Sequence, residues 1–411
     1  MVALEAGIDP PALCPNWLFP PQTKAHPLLW SWPPVALTLL FASTLTVMSG
    51  ATISPALPKI AEAFADHPNA AFMVKLVLTV PALFIVIGGP IAGWIVDTMG
   101  RRKLLLSALA LYALAGTAGA FATSLETLIV SRAFLGLAVA GIMTCSTTLL
   151  IDLFEGPARM RLMGLQAAFA SGGGVVFILM GGALSELGWQ APFFIYLASL
   201  IILALAVPYL PEPKRPPFQI AQGQPKQNMR IAWAIYAAGF MSQVAFYTIP
   251  VNLPFFLAAD YGVTGAAAGA SIAVSTLFMA ITSSNYGRVR ARFPYAALIA
   301  IAFGLMGAGF VFIGLARELP VLLLGLSMTG TAFGVLMPSC GSWLSEIADP
   351  AYRGRVMGGM GTAIFLGQFC SPLITGPLTV AFNYHTVYMA LGAALMAAGL
   401  LSRPVLNRAA A

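Results

Sequence analysis

A short charged segment interrupts two long apolar stretches of this sequence. The residues of this segment whose types and spacing suggest a functional role are Gly93, Asp97, Gly100, Arg101 and Arg102. An aspartate at such a place can bind a guanidinium or the N-terminus of a neighbouring helix, and a glycine lets two helices approach closely. Asp152, at the end of a later apolar stretch, is well placed to meet Arg101. The chemistry expected here is ion pairing that favours one arrangement of helices over another.

Arg132 needs a partner, because it lies inside an apolar stretch, SLETLIVSRAFLGLAVAGI. A guanidinium at this depth costs roughly 2.5 to 3.5 kcal/mol on membrane-insertion scales. Two roles are compatible with the position. Arg132 either faces a cavity, where it binds an anionic group of a substrate or takes part in coupling, or it bonds a neighbouring carbonyl or extends to outer headgroups.

No Asp, Glu or His lies well inside an apolar stretch. All 14 acids fall in tails, loops or helix ends. The sequence has no HExxH zinc motif and no paired carboxylates within a span. Its four cysteines show no paired spacing. We therefore expect a protein that is not an enzyme, with no cofactor, metal site or disulfide. A proton carrier needs a titratable group that both sides reach in turn, so proton coupling stays open.

The elements that position these residues are membrane-spanning helices. Hydrophobic residues make up 59% of the 411-residue chain and charged residues 9%, whereas soluble domains carry about 25% charged residues. A spanning helix needs roughly 20 apolar residues. The sequence predicts an all-α membrane protein with twelve spans, at residues 34–56, 72–96, 104–123, 126–151, 161–184, 189–209, 231–258, 264–286, 294–315, 319–345, 355–380 and 385–402.

The cations are distributed unevenly between the two sides of these spans. If the N-terminus is inside, the outer side keeps only Lys59, Lys75 and Arg317 of the 21 cations, and Arg132 lies in the membrane. Cations near helix ends are retained on the cytoplasmic side, so both termini are predicted to be cytoplasmic. The net charge of +7 thus reflects topology, and we expect no nucleic-acid partner, because the cations form no continuous basic face.

An internal repeat organises the chain. At one constant offset Gly93 corresponds to Gly287 and Gly136 to Gly330, among other pairs. Six spans separate the copies, so both halves enter the membrane from the same side, which is a parallel repeat. The predicted organisation is a cytoplasmic tail at 1–33, a six-helix bundle at 34–210, a cytoplasmic linker at 211–230, a second six-helix bundle at 231–402 and a cytoplasmic tail at 403–411.

The charged segment GWIVDTMGRRK resembles the cytoplasmic signature of the major facilitator superfamily, between its second and third spans. Arg132 followed by Gly136 resembles a second motif of the family, which has been linked to proton coupling in drug exporters. The glycine-rich exporter pattern of the fifth span is incomplete, because Phe177 and Ile178 occupy its Gly-Pro positions. The resemblance implies two pseudo-symmetric bundles that alternate access to a site between them.

The resemblance also implies residue roles. Asp97, Arg101 and Asp152 would form a latch that closes the cytoplasmic side in the outward-facing state. The first, fourth, seventh and tenth spans would line the central path. Candidate substrate-binding residues on these spans are Arg132, Ser49, Thr52, Thr144, Gln243, Tyr247, Asn252 and Ser339. Gln166 and Gln368, on the fifth and eleventh spans, are secondary candidates.

A secondary transporter of small organic molecules is the function that the resemblance favours, above all an exporter of amphipathic drugs or metabolites. We expect a monomer in the lipid bilayer of the inner (plasma) membrane. The alternative is a uniporter or exchanger of organic anions, with Arg132 as the anion site, and the lack of a buried acid favours it. Protons or counter-ions are possible coupling partners in either case.

Overall fold

The structure is a computed structural model. It describes residues 34–212, 229–349 and 352–410, except for the side chains of Asp97, 403–405 and 407–410. The predicted tail at 1–33 and most of the predicted linker at 211–230 lie outside the described residues. We refer to residues 34–212 as the N-terminal half and to residues 229–410 as the C-terminal half.

The described chain is almost entirely helical. Its α-helices are α1 Pro34–Ala51, α2 Leu57–Ala63, α3 Ala70–Met99, α4 Arg101–Ala118, α5 Leu125–Leu153, α6 Gly156–Ser185, α7 Ala198–Tyr209, α8 Met229–Tyr261, α9 Gly265–Ser284, α10 Tyr286–Arg290, α11 Tyr295–Leu315, α12 Leu319–Ile347, α13 Arg353–Ala381 and α14 Tyr384–Ala410. Short 3₁₀ segments at Ser54–Ala56, Gly119–Phe121 and Ala191–Leu197 extend α1, α4 and the start of α7.

Twelve helical segments of the described chain are long and apolar enough to cross a membrane, which confirms the predicted number. The first is longer than predicted and covers Pro34–Ala63, because the 3₁₀ turn at Ser54–Ala56 continues the helical path into α2. The charged segment separates α3 from α4 through Gly100, whose φ of +100° is strained for residues with a side chain. The short hairpin between the second and third spans is therefore made by one glycine.

The internal repeat is visible in the packing of the helices. A Cβ at Gly136 would lie 2.4 Å from the carbonyl oxygen of Pro81, where α5 crosses α3. A Cβ at Gly330 would lie 2.1 Å from the carbonyl oxygen of Ser275, where α12 crosses α9. Pro81 and Ser275 are related by the same offset as the two glycines. Both halves thus use one glycine at an equivalent crossing to bring two backbones into contact.

Each half has its own apolar cluster. One cluster consists of buried residues between Ala36 and Leu210 together with Val251, and the other of buried residues between Ile231 and Leu406 together with Ile178. The halves meet mainly where α6 packs on α9 and where α3 packs on α13. Because few buried residues belong to the cluster of the opposite half, the contact between the halves can change without unpacking either one.

Candidate functional site

A cavity of about 300 Å³ lies between the two halves. Its wall is built from α1, α3, α5 and α6 on one side and from α8, α9, α12 and α13 on the other. Phe246 of α8 stacks on Phe333 of α12, with ring centroids 4.1 Å apart. Within the described residues no charged side chain lines the cavity. A mostly apolar cavity with a few polar groups is the usual form of a small-molecule site.

Several predicted residues reach this cavity. Ser49 on α1 and Gln243 and Tyr247 on α8 are part of its wall, and so is the secondary candidate Gln368 on α13. The hydroxyl of Tyr247 would lie 3.0 Å from a Cβ at Gly50. Gly50 therefore lets a tyrosine of the C-terminal half pack directly against α1 of the N-terminal half.

The other neutral candidates do not line the cavity. Thr52 and Ser339 each donate to a carbonyl one turn back in their own helix, at 2.9 and 2.8 Å. The amide nitrogen of Asn252 donates to the hydroxyl of Thr375, 3.0 Å away and fully buried. Thr144 is half-buried, and its carbonyl accepts a hydrogen bond from a threonine one turn further on. Hydrogen bonds inside the bundles thus engage the hydroxyls of Thr52 and Ser339 and the amide nitrogen of Asn252, which is the common role of small polar residues in membrane helices. The side-chain oxygen of Asn252 has no hydrogen-bond partner among the described residues.

The repeat relates a set of wall residues that were not among the candidates. These residues are Leu78, Pro81, Ala82 and Ile85 on α3, and Ile272, Ser275, Thr276 and Met279 on α9. Each residue of the first set corresponds to one of the second at the offset of the repeat. Their spacing of three, four and seven residues is that of one helix face. Both helices lie outside the four spans predicted to line the path, but repeat and periodicity together could have identified this face.

Arg132 does not reach the cavity, and its expected position there is corrected by the structure. Its side chain is fully buried within the N-terminal half. Its guanidinium donates to the carbonyls of Ala115 and Gly116, at 3.2 and 2.7 Å. These carbonyls belong to the last turn of α4, where carbonyls have no N–H partner in the helix and where the helix dipole favours a cation. Arg132 therefore caps the C-terminus of α4.

The same arginine lies against two aromatic rings. Its guanidinium carbon is 4.9 Å from the ring centroid of Phe193 and 5.0 Å from that of Tyr196. The hydroxyl of Tyr196 in turn donates to the carbonyl of Ser49, at 2.9 Å. Arg132 is thus connected to the cavity wall through Tyr196, which bonds the α1 backbone at Ser49.

One end of the cavity is sealed by contacts between the halves. We call this region the closed end, and it comprises residues 52–75, 178–186, 250–269 and 376–385. The hydroxyl of Ser54 donates to the carbonyl of Pro250 at 2.6 Å. That carbonyl has no helical partner, because Pro254, four residues later, lacks an N–H. The carboxylate of Glu186 accepts from the N–H of Ala266 in the first turn of α9, at 3.1 Å, where helix N–H groups also lack partners.

Glycines bring α6 and α9 together at the closed end. A Cβ at Gly182 would lie 2.8 Å from the carbonyl oxygen of Gly265 and 3.2 Å from the Cα of Gly269. A Cβ at Gly181 would lie 2.0 Å from the carbonyl oxygen of Thr52. Both glycines therefore allow close packing of backbones, and at Gly182 the two helices belong to opposite halves.

Lys75 crosses from one half to the other at the closed end. It is 5% exposed, and its ammonium donates to the hydroxyl of Thr379 on α13 at 2.9 Å. The ammonium also lies 5.7 Å from the ring centroid of Phe255 and 5.9 Å from that of Tyr384. No ion pair to a carboxylate is formed by Lys75 in the described part of the chain. A hydroxyl and two aromatic faces hold this cation in place.

The charged hairpin lies at the opposite end of the helices, the hairpin end. Arg101 forms an ion pair with Asp152, and both side chains are mostly buried. Glu212, which was not a candidate, accepts from the backbone N–H groups of Arg101 and Arg102 at 2.8 and 3.1 Å. These are the first two residues of α4, so Glu212 caps the N-terminus of α4. Side chains from other segments thus cap α4 at both ends.

For Gly93 and Asp97, two other candidates of the hairpin, the structure describes no contact with a neighbouring helix. Nothing lies within 4 Å of a Cβ built at Gly93, so the expected close helix approach is absent at this glycine. The side chain of Asp97 lies outside the described residues. At Gly100, by contrast, a Cβ would lie 2.6 Å from a carboxylate oxygen of Glu212. The glycine of the hairpin that close packing requires is therefore Gly100.

Replacing Glu212 with alanine is expected to destabilise the protein by about 1 kcal/mol, because two N–H groups of α4 lose a charged acceptor. The melting temperature of purified protein, followed by tryptophan fluorescence, measures this loss. Glu155→Ala is the matched control, because Glu155 lies at the N-terminus of α6 but its side chain makes no capping hydrogen bond. Equal melting temperatures for the two variants would contradict the capping role of Glu212.

Twelve spans, a duplicated architecture and a cavity between the two halves, closed at one end, define a membrane transporter for small molecules. The chain belongs to the major facilitator superfamily, whose family model matches residues 39–237 and 235–410. This membership confirms the family and the fold that the sequence motifs imply.

Similar proteins include a multidrug resistance protein and a named exporter. The chain is 27% identical to multidrug resistance protein 1 of Bacillus subtilis (strain 168) over 321 residues, which cover 74% of this chain and 82% of the relative. It is 23% identical to the bacillibactin exporter of the same organism over 335 residues, which cover 76% and 83%. Among solved structures, a bacterial homologue of the human lysosomal transporter Spinster matches with a TM-score of 0.75 and 18% identity, over 92% of this chain and 96% of the other.

Proposed function

We propose that this protein exports amphipathic organic molecules from the cell by alternating access. The observation that carries the proposal is the cavity, which both halves build, which apolar and aromatic side chains dominate, and which bonds between the halves seal at one end. The relative named as a bacillibactin exporter supports the direction of transport.

We infer that the closed end faces the outside and the hairpin end the cytoplasm. The support is the distribution of cations, because Arg101, Arg102 and Lys103 lie at the hairpin end, whereas the closed end has Lys59 and Lys75. With this orientation the termini are cytoplasmic in the inner membrane, and the cavity is in an inward-facing state. Export then requires that the contacts at the closed end break while the hairpin end closes.

The hairpin stabilises the inner end of the N-terminal half in this proposal. The ion pair of Arg101 with Asp152 ties α4 to α5, and Glu212 ties α4 to the segment that follows α7. A unit held in this way moves as one body when the halves rock. Asp97, Gly100 and Arg102 belong to the proposed latch with Arg101 and Asp152, and a few kcal/mol of added contact in the outward-facing state would suffice to bias the equilibrium.

The organic-anion alternative depends on a cation that meets the substrate. Arg132 is buried against carbonyls of α4, and the described cavity wall has no Lys or Arg. An anion in this apolar cavity would lose its hydration without gaining a counter-charge. The geometry therefore favours the export of amphipathic compounds over anion exchange at Arg132.

Dye efflux from bacterial cells that lack their own exporters tests the proposal. Cells loaded with the neutral dye Nile red and then energised are expected to lose it faster when they express this protein than when they carry an empty vector. The variant Gly182→Leu, in which the halves are expected not to meet at the closed end, serves as the inactive control. Identical dye loss in cells with and without the protein, at equal membrane expression, would contradict the proposed function.

A further inference from the structure

Gln243 is a buried polar side chain without a partner. It is 6% exposed and lies in the cavity wall on α8. Its side-chain oxygen makes no hydrogen bond to any described residue. Buried amide groups are nearly always hydrogen-bonded in folded proteins, and leaving one unpaired is unfavourable. The oxygen itself is buried, but Gln243 lines the cavity, so a turn of its amide group brings the oxygen to a ligand there. We infer that such a ligand supplies the missing partner.

A second amide lies next to the first. Gln368 on α13 lines the same cavity, and its neighbour Gly367 packs on Gln243, with only 2.9 Å between a Cβ at Gly367 and the Cβ of Gln243. This close approach brings two glutamines of adjacent helices to one region of the wall. A primary amide offers both N–H donors and a carbonyl acceptor, so the two amides together can bind a group that both donates and accepts.

The rest of the wall offers no charge, and its other polar side chains carry only hydroxyl groups: Thr46, Ser49, Tyr247, Ser275 and Thr276. The hydroxyl of Ser49 already donates to the carbonyl of Thr46 at 2.9 Å. The stacked pair of Phe246 and Phe333 presents an aromatic surface. No cation or carboxylate of the described chain lines the cavity. A charged ligand would therefore be desolvated without compensation, whereas a neutral aromatic ligand would not.

We propose that Gln243 and Gln368 form an amide subsite that selects neutral aromatic substrates with a carboxamide, lactam or hydroxyl group, and that charged analogues are excluded. The inference rests on the proposed function, because it names the substrate class of the same cavity. Gln243 and Gln368 act as specificity residues, and the aromatic wall binds the body of the molecule.

Binding of four biphenyl probes to the purified full-length protein tests the subsite. The probes share one ring system and differ in one group: biphenyl-4-carboxamide, 4-methylbiphenyl, biphenyl-4-carboxylate and 4-biphenylmethylammonium. Dissociation constants are measured by isothermal titration calorimetry. The carboxamide is expected to bind roughly tenfold or more tightly than the methyl compound, because it adds hydrogen bonds to unpartnered amides. The carboxylate and the ammonium are expected to bind more weakly still.

Substitutions test whether the two glutamines cause the preference for the carboxamide probe. In Gln243→Leu and Gln368→Leu the carboxamide should lose its advantage while 4-methylbiphenyl keeps its affinity, a readout that misfolding would not produce. Gln243→Glu should bind the ammonium more tightly than the carboxamide. Gln166→Leu is the matched control, because Gln166 bonds Ser43 and Thr147 at 2.9 and 3.3 Å and does not line this cavity. It should retain the preference of the wild type.

Each contrary outcome has a distinct meaning. Equal affinity of the wild type for the carboxamide and the charged probes would overturn the subsite, and so would a preference that survives in both leucine variants. If no probe binds while dye efflux persists, the inferred substrate class is wrong and the proposed export function stands. If binding and efflux are both absent, the proposed function is wrong as well.

Discussion

Replacing Gly182 with leucine is expected to reduce export to the level of cells without the protein. A leucine side chain has no room there, because even a Cβ would lie 2.8 Å from the carbonyl oxygen of Gly265 and 3.2 Å from the Cα of Ala266. These contacts are between backbones, so no flexible side chain can move aside. The two halves should therefore stay apart at the closed end. The transporter should then lose the state in which this end is sealed, which is one of the two states that alternating access needs. Dye efflux at equal membrane expression measures the effect.

Labelling shows whether the closed end has opened. Ser54 is fully buried and bonded to the opposite half, so a cysteine at this position should resist a membrane-impermeant maleimide in the parent and react in Gly182→Leu. The native cysteines are replaced by serine in both proteins. Gly172→Leu is the matched control on the same helix, since a Cβ there meets nothing within 4 Å. If Gly182→Leu exports dye like the control, the closed end is not a gate.

Replacing Arg132 with alanine is expected to destabilise the protein by about 2 to 4 kcal/mol, because two carbonyls lose a charged donor and a large buried side chain leaves a void. Phe193 and Tyr196 also lose the guanidinium that they contact. The melting temperature should fall clearly, whereas the affinity of the folded fraction for the carboxamide probe should stay near that of the wild type. Thermal unfolding and calorimetry on the same preparation measure the two quantities.

Two further variants separate capping from charge. Arg132→Lys should recover only part of the stability, because an ammonium lacks the planar fork that donates to two carbonyls and lies against the rings. Arg317→Ala should have little effect, because Arg317 is an exposed arginine beyond the end of α11. If Arg132→Ala keeps the melting temperature of the wild type but loses probe affinity, the arginine belongs to the binding site after all.

Hydropathy and motif were sufficient to predict the architecture. Apolar segments of membrane-spanning length and the charged hairpin depend on composition and local spacing, and the structure has the predicted twelve spans. The pairs Gly136 with Gly330 and Pro81 with Ser275 show why duplication could also be read from sequence. Gly136 contacts Pro81 in the N-terminal half, and Gly330 contacts Ser275 at the equivalent helix crossing of the C-terminal half.

The roles of single polar residues depended on where helices end. A buried arginine such as Arg132 is typical of a site that binds an anionic substrate. In the structure, however, the last turn of α4 places two carbonyls within hydrogen-bonding distance of the Arg132 guanidinium. Glu212 was assigned to the linker, and only the folded chain brings it to the start of α4. Ser339 and Asn252 could bond within the bundle or face the cavity, and only the rotation of their helices decides between the two. Spacing along one helix carries no information about that rotation relative to its neighbours.

The central claim is that the two halves rock about the cavity, so that the closed end opens when the hairpin end closes. Electron-spin distance measurements in lipid nanodiscs test it with one label pair at each end. Leu187 and Val380, which are exposed at or beside the closed end in opposite halves, form one pair, and Met99 and Arg288 form the pair at the hairpin end. On addition of Nile red, the dye whose efflux tests the export function, we expect a longer distance between the first pair together with a shorter one between the second. Distances that stay fixed at both ends, or that change in the same direction, would contradict alternating access in this protein.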